Sequence, residues 1–316
     1  MTLVGVNHTL RGMTQPATSA RSMAPTVRRP APRDVLELLK PITWFPPIWA
    51  FMCGVVSSGQ PASGHWLPII AGGLLAGPLV CGNSQAINDW FDRHVDAINE
   101  PNRPIPSGRI PGRWGLGIAC VGTVISFAVG AALGIWVMVA TLVGLASAWA
   151  YSAPPFRLKA SGWWGPMLVG LTYEGLSWFT GAAVMTSTLP PTPVLIVLVL
   201  YSLGAHGIMT LNDFKAVEGD RQTGVRSLPV VLGVRNAALL ACAVMALAQV
   251  IVAVYLVQHG LMLSAAIVAG VLAVQFALMP KLIADPAARA PWYGGTGVTL
   301  YVLGMLAAAG GLGGHW

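Results

Sequence analysis

The chain has 316 residues, is 55% hydrophobic and only 9% charged, and carries a net charge of +7. A soluble globular domain has about a quarter of its residues charged, so the composition argues against a soluble enzyme and for a polytopic membrane protein. The positive balance then reflects topology and anionic lipid headgroups and is no argument for a nucleic-acid partner.

Residues 1–33 are rich in Pro, Thr and Arg and lack the apolar core of a secretory signal. They read as a disordered cytosolic tail ahead of one membrane domain, 34–316. Apolar runs of about 20 residues, enough to cross a hydrocarbon core, fall at 42–59, 67–91, 115–134, 136–152, 164–186, 192–212, 236–257, 261–280 and 294–312. The spacing predicts an all-α bundle of nine transmembrane helices. Charge placement is an independent check, because Lys and Arg near span ends favour the cytoplasmic side. All 18 basic residues lie in the tail or in alternate loops, and loops such as SSGQPASGH and TSTLPPTP have none. This orientation puts the N-terminus in the cytoplasm and the C-terminus in the periplasm. Cys53, Cys81, Cys120 and Cys242 all sit in spans without a CxxC pair, which indicates neither a disulfide framework nor a zinc site.

The second span ends in NDWFDRHVDAINEPNRPIPSGR, and the sixth ends in NDFKAVEGDR. Asn88, Asp89 and Asp96 stand 124 residues before Asn212, Asp213 and Asp220, and Asp92 stands 124 before Ala216. At about 100° per residue these positions share one arc of a helix, so two carboxylate faces are expected at the cytoplasmic ends of two spans. Seven of the 11 acidic residues fall in these two segments. Such crowding is repulsive unless a cation sits among them. Oxygen ligands suit Mg2+, whose shell is usually completed by substrate phosphates. The basic loops that follow supply partners for phosphate oxygens. With an apolar bundle for a lipid tail, the pattern describes a prenyl diphosphate site. Allylic diphosphates ionise once the leaving group is neutralised, so no nucleophilic side chain is needed, and no GxSxG or HExxH motif occurs.

At these residues the chain resembles the UbiA superfamily of intramembrane prenyltransferases, whose signature is an Asn-xxx-Asp-xxx-Asp motif on an early helix and a second Asp-rich motif later. Asn88, Asp92 and Asp96 match the first motif. NDWFDRHVDAINEPNRPIPSGRIPG, YSAPPFRLKASGWWG and NDFKAVEGDRQTGVRSLPVVLG look like the chlorophyll synthase branch, on its bacteriochlorophyll side. The resemblance implies Mg2+-dependent transfer of a geranylgeranyl or phytyl group from its diphosphate to the propionate of bacteriochlorophyllide, in a bacterial photosynthetic inner membrane. Other pigment-biosynthesis proteins, such as geranylgeranyl reductase, would be partners. It implies metal ligation by Asn88, Asp92, Asp96, Asp213 and Asp220, with the four aspartates catalytic. Arg103, Tyr151, Arg157, Lys159 and Arg221 would hold the diphosphate. The second motif departs from the family form at Ala216, where an aspartate is usual. Asp89, Asn212 and Glu218 are assigned to support, Glu218 reaching sideways to a basic residue.

Glu174 and His206 lie deep in spans, where ionisable groups are functional candidates by default; they are candidates for pigment contact, with a structural hydrogen bond between helices as the alternative. A quinone or haem prenyltransferase is the alternative within the superfamily. An ion-coupled transporter is the alternative from another class, but its acids would lie near the bilayer midplane, whereas these end the spans and run into arginine-rich loops.

Overall fold

The computed structural model describes residues 29–316; residues 1–28 of the expected tail lie outside the described residues. Among those described, all long elements are helices, and only an isolated bridge joins Ser161 to Arg226. A short helix α1 (Pro32–Leu38) precedes the bundle, with Pro32 at its first position, where a missing N–H costs nothing. The bundle follows as α2 (Phe45–Ser57), α3 (Trp66–Asn99), α4 (Trp114–Ala132), α5 (Ile135–Ser152), α6 (164–186) and α7 (Thr192–Asp213). After two short helices, α8 (Val217–Thr223) and α9 (Leu228–Leu232), it closes with α10 (Val234–Gln258), α11 (Met262–Ala284) and α12 (Pro286–Leu312).

Seven of these helices are long and apolar enough to cross a membrane, rather than the nine expected. The other two expected spans fall on α2 and α6. α2 has only 13 residues, about 20 Å of rise against a hydrocarbon core of about 30 Å. α6 is long enough but less apolar than the seven, with Pro166, Tyr173 and Glu174 in its sequence, and it contains a π-helical turn, Leu171–Leu176. α3 and α12 carry similar turns at Leu75–Cys81 and Gly294–Val298.

α2 and α6 approach closely because glycines face each other. A Cβ on Gly54 would lie 2.0 Å from the Trp178 carbonyl oxygen, and one on Gly181 would lie 2.0 Å from that of Phe51. Small residues permit such approach where hydrophobic driving force between helices is weak. Deeper in the bundle Trp178 stacks on Tyr201, and the Tyr301 hydroxyl donates to the Tyr201 carbonyl at 2.7 Å. Gln249 and Gln275 exchange amide hydrogen bonds at 3.1 and 2.8 Å, tying α10 to α11.

The two ends of the bundle differ. At one end α1 is clamped by Arg109, which bonds Asp34 at 2.9 Å and also Glu37 and the Asn102 carbonyl. The loops after α5 and α8 pair at the same end, Gly162 N–H donating to the Arg226 carbonyl at 2.9 Å. At the other end the C-terminal His315 meets the Val56 carbonyl and Trp316 donates to Ser264. Lys40 and the C-terminus therefore sit at opposite ends, and the polar loops gather around the first.

Candidate active site

α3 changes character along its length: its apolar stretch gives way to Asn88, Asp89, Asp92 and Asp96 in the last three turns. Continuous helix to Asn99 keeps these residues on the expected arc. The carboxylates are met by cations from three segments. Asp89 is fully buried and accepts from Lys40 at 2.7 Å and Arg103 at 3.5 Å. Asp92 accepts from Lys159 and, at 3.5 Å, from Arg157. Asp96 accepts from Arg103 at 2.9 Å. Asn88 donates to Ser152 at the end of α5 at 3.4 Å. The strap before α2, the loop after α3 and the loop after α5 thus converge on one helix end.

The loop after α3 is ordered by its own backbone. Arg103 N–H bonds the Glu100 carbonyl, Ser107 N–H the Arg103 carbonyl and Ile110 N–H the Pro104 carbonyl; Ile110 is buried as its plug. Burial works against the Arg103 charge, but Asp89 and Asp96 outweigh it and push its pKa up. Lys159 behaves oppositely: burial outweighs the attraction of Asp92 and lowers its pKa.

The second motif is built differently from expectation. α7 ends at Asp213, residues 214–216 form a turn, and α8 starts at Val217 with Ala216 as its N-cap, φ −108°. Asp213, Ala216 and Asp220 therefore do not share one helix face, and the single arc drawn through them is corrected. Asp213 and Asp220 still feel each other's charge, with Lys215 opposing. Tyr151 connects the two walls, being close enough to feel both Asp213 and Asp92. Asn212 is exposed and reaches Met209 on its own helix, at 4.0 Å. Glu218 is exposed and pairs with Arg221 at 3.5 Å, as its sideways reach required, so Arg221 lies with Glu218 rather than with the acids of α3.

Among the described residues no three His, Cys, Asp or Glu side chains come together as a ready metal cage, so the five expected ligands do not meet at one point. The donors nonetheless fit Mg2+. One wall offers Asp92 and Asp96, the other Asp213 and Asp220, and all their ligating atoms are oxygens. Mg2+ takes one or two protein carboxylates and completes its octahedron with phosphate oxygens and water.

Glu174 lies in the π turn of α6, buried, with Oε2 unpartnered among the described residues. π turns in helices frequently mark functional sites. His206 is 1% exposed on α7, with Nε2 likewise unpartnered and its ring 5.4 Å from Trp163. Next to Glu174, the Tyr173 hydroxyl accepts from Gln85 at 3.0 Å and Cys81 at 3.3 Å. The sequence reading missed Lys40, Gln85 and Tyr173. Lys40 had one signal, a lone cation between a short amphipathic segment and Pro41.

A multi-span helical bundle whose helix-borne acids meet loop-borne cations at one mouth is the architecture of an intramembrane enzyme acting on a charged, lipid-tailed substrate. Residues 44–303 match the model of the UbiA prenyltransferase family. The chain belongs to this family. It is 61% identical to the bacteriochlorophyll synthase 33 kDa chain of Cereibacter sphaeroides over 89% of this chain and 93% of that one. It is 56% identical to the protein of the same name from Rhodobacter capsulatus over 92% and 97%. A solved UbiA homolog from Archaeoglobus fulgidus bound to GPP and Mg2+ shares the fold, with a TM-score of 0.66 at 18% identity over 87% of this chain and 99% of that one. The chain is accordingly a membrane prenyltransferase.

Proposed function

We propose that this protein transfers a geranylgeranyl or phytyl group from its diphosphate to the propionate carboxylate of bacteriochlorophyllide, with Mg2+ as cofactor. The acceptor reading is supported by the two relatives named bacteriochlorophyll synthase and their coverage of nearly the whole chain. The observation that carries the diphosphate reading is the convergence of Arg103, Arg157, Lys159 and Lys40 on the acids of α3.

Asp92 and Asp96 on one wall and Asp213 and Asp220 on the other would hold the metal, which supplies charge neutralisation to the leaving diphosphate. Arg103, Arg157 and Lys159 exchange their carboxylate partners for phosphate oxygens, and Tyr151 stands between the two walls. The bond from the allylic carbon to diphosphate oxygen breaks and its electron pair leaves with the diphosphate. A propionate oxygen then forms the new bond to that carbon. The acceptor arrives as a carboxylate, so no general base is required. The apolar bundle keeps water from the allylic cation. Glu174 and His206 are candidate pigment contacts, His206 offering its unpartnered Nε2 to the tetrapyrrole magnesium. The mouth faces the cytoplasm, where the basic loops belong, in a bacterial inner membrane.

The test is incubation of membranes containing the chain with radiolabelled geranylgeranyl diphosphate and a panel of acceptors. Label should enter bacteriochlorophyllide in the presence of Mg2+. Transfer to a quinone precursor or haem, with none to bacteriochlorophyllide, would overturn the acceptor assignment.

A further inference from the structure

The three carboxylic residues of the α3 terminus are not equivalent. Side-chain exposure is 18% for Asp92 and 8% for Asp96, but 1% for Asp89. One oxygen of Asp89 is taken by Lys40 and Arg103, and the other is buried without a partner among the described residues. A hydrated divalent ion has no approach to such a carboxylate. Its neighbours also set it apart: Asp92 faces the loop after α5, whereas Asp89 faces the strap that precedes α2.

Lys40 is delivered by backbone, not by chance of its side chain. Its φ of 46° is left-handed, a conformation non-glycine residues adopt infrequently. Pro41 follows it, and the Lys40 N–H donates to the Glu37 carbonyl at 3.2 Å at the end of α1. α1 is itself fastened to the loop after α3 by Arg109. That same loop carries Arg103, which bridges Asp89 and Asp96. If the Asp96 oxygens turn toward a cation, Asp89 is the buried anchor that still holds the guanidinium at the mouth. An ammonium has three donors and a guanidinium five, so both cations keep donors for a further anion while bonded to Asp89.

We propose that Asp89 is a positioning residue that ligates no metal and presets Lys40 and Arg103 as a two-cation clamp for the diphosphate, with Lys40 a previously unassigned member of the site. This rests on the diphosphate reading above. The acid beside the motif asparagine then serves the leaving group, while Asp92 and Asp96 serve the ion.

The test uses the full chain in nanodiscs and two probes: a non-ionising geranylgeranyl S-thiolodiphosphate, and Mn2+ followed by electron paramagnetic resonance. Asp89→Asn should weaken binding of the thiolodiphosphate about 10-fold, the size expected for losing a charge-assisted positioning contact, while Mn2+ affinity without it changes less than about twofold. Lys40→Met should weaken the analogue similarly. The double variant Lys40→Met/Asp89→Asn should be no weaker than the worse single variant, because the two act as one unit. It also carries no unpaired buried charge, so it reports even where Asp89→Asn misfolds. Mn2+ binding lost in Asp89→Asn would make it a ligand and overturn the proposal, as would a double variant that binds the analogue like wild type. Wild type failing to bind the analogue would overturn the diphosphate reading itself, a result distinct from equal binding by wild type and variants.

Discussion

Replacing Arg103 by alanine should have two opposite effects in one protein. The guanidinium lies 2.9 Å from Asp96, 3.5 Å from Asp89 and 3.7 Å from Glu100, and its side chain is 30% exposed. A charge-assisted contact to a phosphate in such a setting is worth about 2–3 kcal/mol. At about 1.4 kcal/mol per tenfold, kcat/KM for the prenyl diphosphate should fall roughly 30- to 150-fold. The same deletion frees Asp96 of its strongest competitor and leaves Asp89 with Lys40 alone. Divalent ions should then bind the acidic face more tightly, and the Mg2+ concentration for half-maximal activity should fall. The assay is steady-state transfer in nanodiscs with each substrate and Mg2+ varied in turn, and the bacteriochlorophyllide KM should stay within about threefold. A loss carried by the acceptor KM, or a rise in the Mg2+ requirement, would refute the placement of Arg103 on the leaving group.

Asp92→Asn and Asp96→Asn should each abolish transfer at limiting Mg2+ while expression and membrane insertion persist; near-normal turnover in either purified variant would remove that residue from the metal site. Lys159, whose pKa is lowered by burial against the pull of Asp92, should lose its proton below the ordinary value near 10.5. Between the lowered value and the ordinary one the unfolded chain holds the extra proton, so this group's contribution to stability rises with pH there, while the diphosphate KM climbs as the cation is lost. Lys159→Arg should move that alkaline rise in KM upward, and an unchanged pH profile would count against Lys159 as a phosphate contact. Ala216→Asp should stabilise α8 by about 0.5–2 kcal/mol, because aspartate is a preferred N-cap. Its Mg2+ response should match that of wild type and Ala216→Asn; a steeper Mg2+ requirement would restore the single acidic face that the helix break denies.

The first acidic motif was legible because all its members lie on one continuous helix, where spacing alone determines direction. The second was not. Nothing between Phe214 and Ala216 is a proline or glycine, so no local signal marks the end of α7, and the turn reflects how the chain packs at the mouth. Lys40 was invisible for another reason: its partner Asp89 is 49 residues away, and sequence periodicity carries no information about contacts between elements. The π turn of α6 escaped because it changes hydrogen bonding without changing hydropathy. The basic loops after α3, α5 and α8 meet at one end of the bundle, Arg103 on Asp96, Lys159 on Asp92 and the Arg226 carbonyl on Gly162.

The division of labour between helix and loop follows from the charges. A metal demands fixed ligand geometry, and Asp92 and Asp96, its proposed ligands on α3, sit on a rigid helix end. On the proposed reading, the leaving group is seized and released by cations that come from loops and a strap. Around α3, leaving aside Glu100 at the exposed rim, Asp89, Asp92 and Asp96 are opposed by Lys40, Arg103, Arg157 and Lys159, so the inner part of this wall carries one excess positive charge. A fully ionised prenyl diphosphate carries about three negative charges. Arriving with one divalent ion, it brings a net charge of about one negative, which cancels that excess. The wall is therefore close to neutral once loaded, and the ion pairs seen among its own residues keep the carboxylates from repelling one another when it is not. Loading exchanges partners among charges that are already paired, and avoids creating an unpaired charge at the edge of an apolar bundle, where it would be most costly.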